Sequence, residues 1–415
     1  MNRIKRSFAA ALLASALFAA NAGATAEASR FQMSYLYAGQ TSEYVQFVDR
    51  TDGAVQVVSP SYFDLGSDGS LKLTDKLDTG FIADMHERGV KVVPFVSNHW
   101  DRPAGEAALA NRDELAAQIA EAVGRYGLDG AHVDIENVTE SSRDDLTDFV
   151  KKLRQLLPAD KEVSVAVAAN PTGATKGWLG SYDYAELAKY SEYLMVMAYD
   201  ETSVGDPEPG PVASLDFVER SIQYALKLAP ADRIVLGLPF YGRYWNAEGT
   251  INGDGIAGRT VVDLVSRYKG DTVYDANEAS AVSTFTVGAD GTLPVAGFRT
   301  LAPGTYVVWH ENEQSMKRKL ELVAKYGLKG TGSWSLGQED GDTWSYMTLW
   351  VNGAFFDDAE GHWAQNEIVY AAANGWMTGT AAGRFGPDAA LTRAQVAAIL
   401  TRALLPGQTA AAGGS

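Results

Sequence analysis

The chain has 415 residues, 35 basic and 52 acidic side chains, a formal charge of −17 and no cysteine. Without cysteine there is no disulfide framework and no thiolate chemistry. A surface this acidic repels nucleic acid, and five histidines without ligand spacing give no metal site and imply no cofactor.

Arg3, Lys5 and Arg6 precede an apolar run from Phe8 to Ala20, and Ala22-Gly23-Ala24 and Ala24-Thr25-Ala26 fit a small-residue cleavage pattern. Residues 1–26 read as a secretory signal peptide. No later run is long enough to span a membrane, so the mature chain is expected outside the cell. From residue 31, short apolar runs alternate with amphipathic stretches. Strands are expected at 32–37, 54–60, 90–97, 130–136, 162–168, 193–199, 233–239 and 330–335. Their near-continuous Val, Ile, Leu and Tyr content suits strands covered on both faces. Helices are expected at 111–126, 142–157, 215–228 and 314–326, where apolar residues recur at three- and four-residue spacing.

Eight such strands with intervening helices predict an α/β fold, a TIM (β/α)8 barrel. The alternative, a doubly wound open sheet, lacks a Gly-rich fingerprint after the first strand. The connection at about 244–311 is too long for a bare loop. It holds a helix candidate at 260–268 and strand-like pieces at 282–287 and 304–309. We read it as a small α+β insertion over the C-terminal rim. The barrel domain then covers 27–350, a small helical module 355–405, and a flexible Ala/Gly-rich tail 406–415.

The strongest chemical signal is Leu128-Asp129-Gly130-Ala131-His132-Val133-Asp134-Ile135-Glu136-Asn137. Alternation along a strand sends Ala131, Val133 and Ile135 outward and Gly130, His132, Asp134 and Glu136 into the barrel. Three ionisable groups in a row inside a barrel are costly unless they are used. They fall at the C-terminal end of the fourth strand, where barrel enzymes place catalysis. Clustered carboxylates raise one pKa, as a general acid requires.

This stretch resembles the Asp-Gly-x-Asp-x-Asp-x-Glu signature of family 18 glycoside hydrolases. Met197-Ala198-Tyr199-Asp200, Tyr241-Gly242-Arg243 and Trp334 match further family motifs in order. The resemblance covers about residues 31–350. It implies a retaining, substrate-assisted glycosidase. Glu136 would be the acid and base, and Asp134 would hold the acetamido N–H. Tyr199 would bond the acetamido oxygen, and Trp334 would floor the sugar site. Asp200, Arg243, Tyr241, Met197 and His132 complete the expected substrate-binding set. Trp100 and Trp245 are further candidates for stacking platforms.

His132 stands where the family usually has Asp, and is expected to bond Asp134 and tune its ionisation. Val96-Ser97-Asn98-His99 replaces the family's Ser-x-Gly-Gly. It resembles the spore cortex-lytic branch, as do Ser59-Pro60-Ser61, Asp68-Gly69-Ser70, Val308-Trp309-His310-Glu311 and Leu336-Gly337-Gln338-Glu339. That branch implies peptidoglycan as the N-acetylglucosamine-containing polysaccharide; chitin, or a lectin-like barrel without turnover, are the alternatives.

The C-terminal stretch resembles one S-layer homology module: Phe356-Asp357-Asp358, His362-Trp363-Ala364, Ala371-Ala372-Ala373-Asn374-Gly375-Trp376, Gly383-Arg384-Phe385-Gly386-Pro387-Asp388 and Leu391-Thr392-Arg393-Ala394-Gln395. Its expected partner is a secondary cell-wall polymer, which implies association with a Gram-positive-type cell wall.

Overall fold

The computed structural model describes residues 30–404, apart from 290, 354–355, 360–361, 365–366, 369–370, 373–374 and 382. The expected signal peptide and tail therefore lie outside the described residues, as do Ala373 and Asn374 of the module. The chain divides into two compact units, Arg30–Val351 and the residues from Asn352 on.

The larger unit is a barrel of eight parallel strands: Phe31–Leu36, Val57–Pro60, a third at 91–97, Gly130–Asp134, Glu162–Ala168, Tyr193–Met197, Ile234–Pro239 and Gly330–Trp334. The third is split into Lys91–Val92 and Phe95–Ser97 because Pro94 has no N–H to donate. Its two edges close the barrel. Lys91 and Val93 donate to Gln56 and Val58 of the second strand's side, while Val92 and Pro94 accept from Asp129 and His132 on the fourth. Two glycines permit tight strand entry. A Cβ on Gly130, at φ 153°, would lie 2.0 Å from the Glu162 carbonyl, and one on Gly330 would lie 1.7 Å from that of Phe31.

The helices follow their apolar faces. In Arg143–Leu156, the buried residues are Leu146, Phe149, Val150 and Leu153, one stripe of a 3.6-residue period. Asp144 and Asp145 in its first turn and Arg154 in its last complement the helix dipole. Arg112–Tyr126 stops at Gly127, which takes a left-handed φ of 67°. Glu313–Lys325 begins with a capping box between Asn312 and Ser315.

After the seventh strand the chain builds a separate antiparallel sheet of five strands. In spatial order they are Asn252–Ala257, Tyr241–Asn246, Gly304–His310, Ser280–Val287 and Asp271–Asp275. Helix Gly258–Tyr268 packs Val261 and Leu264 into a core with Tyr244, Phe285, Tyr306 and Val308. The expected insertion is thus a folded α+β layer, and its first strand starts at Tyr241 rather than 244.

Where this layer rejoins the barrel, Lys319 is fully enclosed with its Nζ 2.7 Å from Glu311 and 2.8 Å from the Ala279 carbonyl. His310 is buried beside it, bonded to Ser283 and to the Glu311 carbonyl. Lys319→Met is expected to cost about 3–5 kcal/mol, because it strands a buried carboxylate. Urea denaturation checks this, and an unchanged midpoint would refute it.

The smaller unit has a core of Ala359, Ile368 and Phe385, with the Asp358 carboxylate accepting from the Phe385 and Gly386 N–H groups. Helix Arg393–Leu404 opens with Thr392 and Gln395 bonding each other's backbone N–H. Gln395 thus closes a capping box without a charge.

Candidate active site

The fourth strand carries His132 and Asp134 up the barrel interior and ends at Asp134, short of the expected 136, so Glu136 stands two residues past its C-terminal end. Glu136 is fixed by its backbone. Its N–H donates to Asn98 Oδ1 and its carbonyl accepts from Asn98 Nδ2, both at 2.8 Å. Tyr182 Oη donates to the Ile135 carbonyl at 3.0 Å. Asn98 also reaches the Asp101 carbonyl, and Asn137 Nδ2 donates to the Trp100 carbonyl. The loop after the third strand is therefore tied to the loop that carries Glu136. Asn98→Ala leaves two backbone groups unpaired, so it is expected to cost about 1–3 kcal/mol of stability and to lower kcat with little change in KM. Thermal melts and initial rates check this; wild-type kcat would show that the clamp does not position Glu136.

Burial drives the electrostatics. Asp134 is pushed up to about 7 by desolvation, against a downward pull from the Ser97 hydroxyl, and its Oδ1 has no hydrogen-bond partner among the described residues. Glu136 is raised well above the usual carboxylate range by burial first, then by the charges of Asp134 and Asp200. Two neighbouring carboxyl groups whose pKa values are both raised by burial are suited to proton transfer.

The sixth strand ends at Met197, which packs with Tyr199 and Trp334 against the barrel-interior cluster of Tyr35, Phe95, Tyr193 and Met195. Tyr199 meets Tyr241 edge-on at 6.1 Å, and its hydroxyl pKa is raised by burial and by Asp134 and Glu136. Asp200, at φ 60°, accepts on Oδ1 from Tyr241 Oη at 2.6 Å and from Arg243 Nε and Nη2 at 3.0 and 2.6 Å. Arg243 Nη1 is bound to the Gly253 carbonyl. Tyr241 and Arg243 thus come from the inserted sheet to hold Asp200. Trp334 lies at the end of the eighth strand, its ring 4.9 Å from Tyr35 and 5.1 Å from Tyr37, with a cis peptide to Ser335.

Two expectations are corrected. His132 does not bond Asp134. It is 0% exposed, with Nε2 2.7 Å from Tyr35 Oη and Nδ1 2.8 Å from Ser164 Oγ, so neither ring nitrogen remains for substrate. Facing the interior was readable from alternation; the partners across the barrel were not. Trp245 is 3% exposed and spends its indole N–H on the Asp206 carbonyl, so it is no stacking platform. Trp100 is 50% exposed at the mouth, edge-on to Trp178 at 5.1 Å. Tyr35, Ser97, Asn98 and Tyr182 were not singled out as site residues from sequence. Only the Ser97-Asn98 departure at the third strand end pointed toward them.

The family model for glycosyl hydrolases family 18 matches residues 33–339, and the S-layer homology domain model matches 355–397. The chain is 28% identical over 236 residues to the cortical fragment-lytic enzyme of Bacillus subtilis (strain 168), covering 56% of this chain and 52% of that protein. It thus spans about half the length of that curated relative. The crystal structure of the Bacillus cereus spore cortex-lytic enzyme SleL superposes with a TM-score of 0.66 at 19% identity, covering 78% of this chain and 74% of that one. A chitinase from Chromobacterium violaceum ATCC 12472 superposes with a TM-score of 0.67 at 24% identity, over 78% and 99% of the two chains. At these identities the structural likeness speaks for the fold alone.

Proposed function

Because the chain belongs to family 18 of the glycosyl hydrolases and carries an S-layer homology domain, we propose that it is a secreted, wall-associated glycosidase. Its bond is the β-1,4 linkage next to N-acetylglucosamine in peptidoglycan. The observation that carries this reading is the pair Asp134 and Glu136 at the C-terminal end of the fourth strand, both raised by burial and both acting on the Tyr199 hydroxyl.

Glu136 protonates the glycosidic oxygen, and the bond to the leaving sugar breaks. The substrate's own acetamido oxygen attacks the anomeric carbon and gives an oxazolinium ion. Asp134 accepts the acetamido N–H and balances the positive charge. Tyr199 donates to the acetamido oxygen. Water then opens the ring, Glu136 takes its proton, and configuration is retained. The Trp334 indole offers an apolar face to the sugar. Asp200, held by Tyr241 and Arg243, meets substrate hydroxyls. Met197 packs below the site.

Similarity to a cortical fragment-lytic enzyme favours peptidoglycan. Mass spectrometry of digests of peptidoglycan and of chitin oligomers tests this. Muropeptides ending in reducing N-acetylglucosamine are expected. Cleavage of chitin alone would make it a chitinase, and binding without cleavage of either would make it a lectin. The C-terminal module is assigned the secondary cell-wall polymer. Deleting residues from 352 on should abolish retention on purified walls and leave cleavage of soluble oligomers intact.

A further inference from the structure

His132 is left over from this chemistry: it touches no substrate, yet it is the chain's departure from the family signature. The hydrogen bonds around it can be given directions. Burial lowers its pKa to about 3, so the ring is neutral at working pH, with one donor and one acceptor nitrogen. Ser164 Oγ has a single hydrogen, directed at Glu162 Oε1, 3.4 Å away in the barrel floor. Ser164 must then accept from the ring, which puts the hydrogen on His132 Nδ1 and leaves Nε2 as an acceptor. The group facing Nε2 is the Tyr35 hydroxyl at 2.7 Å, so it is the donor. The chain of donors therefore runs Tyr35 to His132 to Ser164 to Glu162, away from the mouth.

We propose that His132 is a positioning residue: by accepting the Tyr35 O–H it withholds this donor from Asp134, whose unpartnered oxygen is kept for the substrate's acetamido N–H. The role assigned to that N–H rests on the function proposed above.

The surroundings of Asp134 agree. Tyr35 on the first strand interacts with it electrostatically, Ser97 on the third bonds it, and Glu136 follows it two residues along the chain. Tyr182 comes from beyond the fifth strand, and Tyr199 and, through Glu136, Asp200 from beyond the sixth. Ser97 is the group that eases its ionisation; a phenol donor on Oδ1 would add to that and pull its titration down. At the far end, burial raises the pKa of Glu162, Tyr193, Lys91 and the Ser164 hydroxyl pull it back, and Glu192 adds to the rise.

Two measurements test this. The first needs no substrate. With five histidines in the chain, the 15N signals of His132 are found by difference against His132→Leu. The Nδ1–H tautomer is expected, and the Nε2–H tautomer would overturn the proposal. Because turnover plays no part, a protein that cleaves nothing would sink the function and leave this result standing. The second is the acidic limb of the kcat–pH profile on N-acetylglucosamine oligomers. In His132→Leu the freed Tyr35 hydroxyl turns to Asp134, and the limb is expected to fall by about one pH unit. In Tyr35→Phe the limb should not rise, and in the double variant the fall should disappear. A rise in Tyr35→Phe, or a fall that survives in the double variant, would overturn the proposal.

Discussion

Glu136→Gln is expected to lower kcat by about 10²–10⁴-fold, the usual contribution of a positioned acid–base group. Gln matches the side chain's size and keeps the backbone bonds to Asn98. It cannot deliver a proton to the leaving oxygen or take one from water. Substrate contacts made by the surrounding aromatic and polar groups persist, so KM should change little. The wild-type group is equipped for the task. Burial, then Asp134, then Asp200 raise its pKa well above the carboxylate range, which favours the protonated form that a general acid needs. Reducing-end release from oligomers, with calorimetric binding of the same oligomers, separates the two effects. A variant that keeps more than a tenth of the activity would place the acid elsewhere.

The barrel was legible because most of its strands are near-continuous in apolar residues, as in Glu162–Ala168 and Ile234–Pro239, whereas its helices are apolar on one face only. The expected strand at 162–168 is observed at Glu162–Ala168, and the helix expected at 111–126 at Arg112–Tyr126. Legibility fails where local pattern stops deciding. Asn252–Ala257 reads as Asn-Gly-Asp-Gly-Ile-Ala, a turn-like composition, yet it is a strand because Tyr241–Ala257 and Arg243–Gly255 pair across it. The expected strand at 54–60 starts only at Val57, since Ala54 to Gln56 precede the ladder with the first strand. Within the site, chemistry-bearing residues of one strand were readable and their cross-barrel partners were not. Alternation turns His132 inward, but Tyr35 and Ser164 are 97 and 32 residues away in sequence. The same limit hid Asn98, whose role depends on a loop 38 residues further on.

Asp134→Asn is expected to separate catalysis from stability. Loss of the carboxylate removes the partner of the developing positive charge, so kcat should fall by about 10²–10³-fold. Stability should change in the opposite sense, with a pH signature. Asp134 in the folded chain is pushed up to about 7 from an ordinary value of 3.8. Between those values the folded state holds a proton that the unfolded chain has released. Raising the pH through this window therefore weakens folding, and above it the full penalty of a buried charge is present. Asn carries no such penalty. The variant's Tm should exceed that of the wild type at pH 8, with the gap narrowing through pH 6 and closing near pH 4. A gap independent of pH would mean that Asp134 does not titrate in this window. The remaining activity should respond as well. Part of the upward displacement of Glu136 comes from the Asp134 charge. With that charge gone Glu136 deprotonates earlier, and the basic limb of the residual profile should move to lower pH.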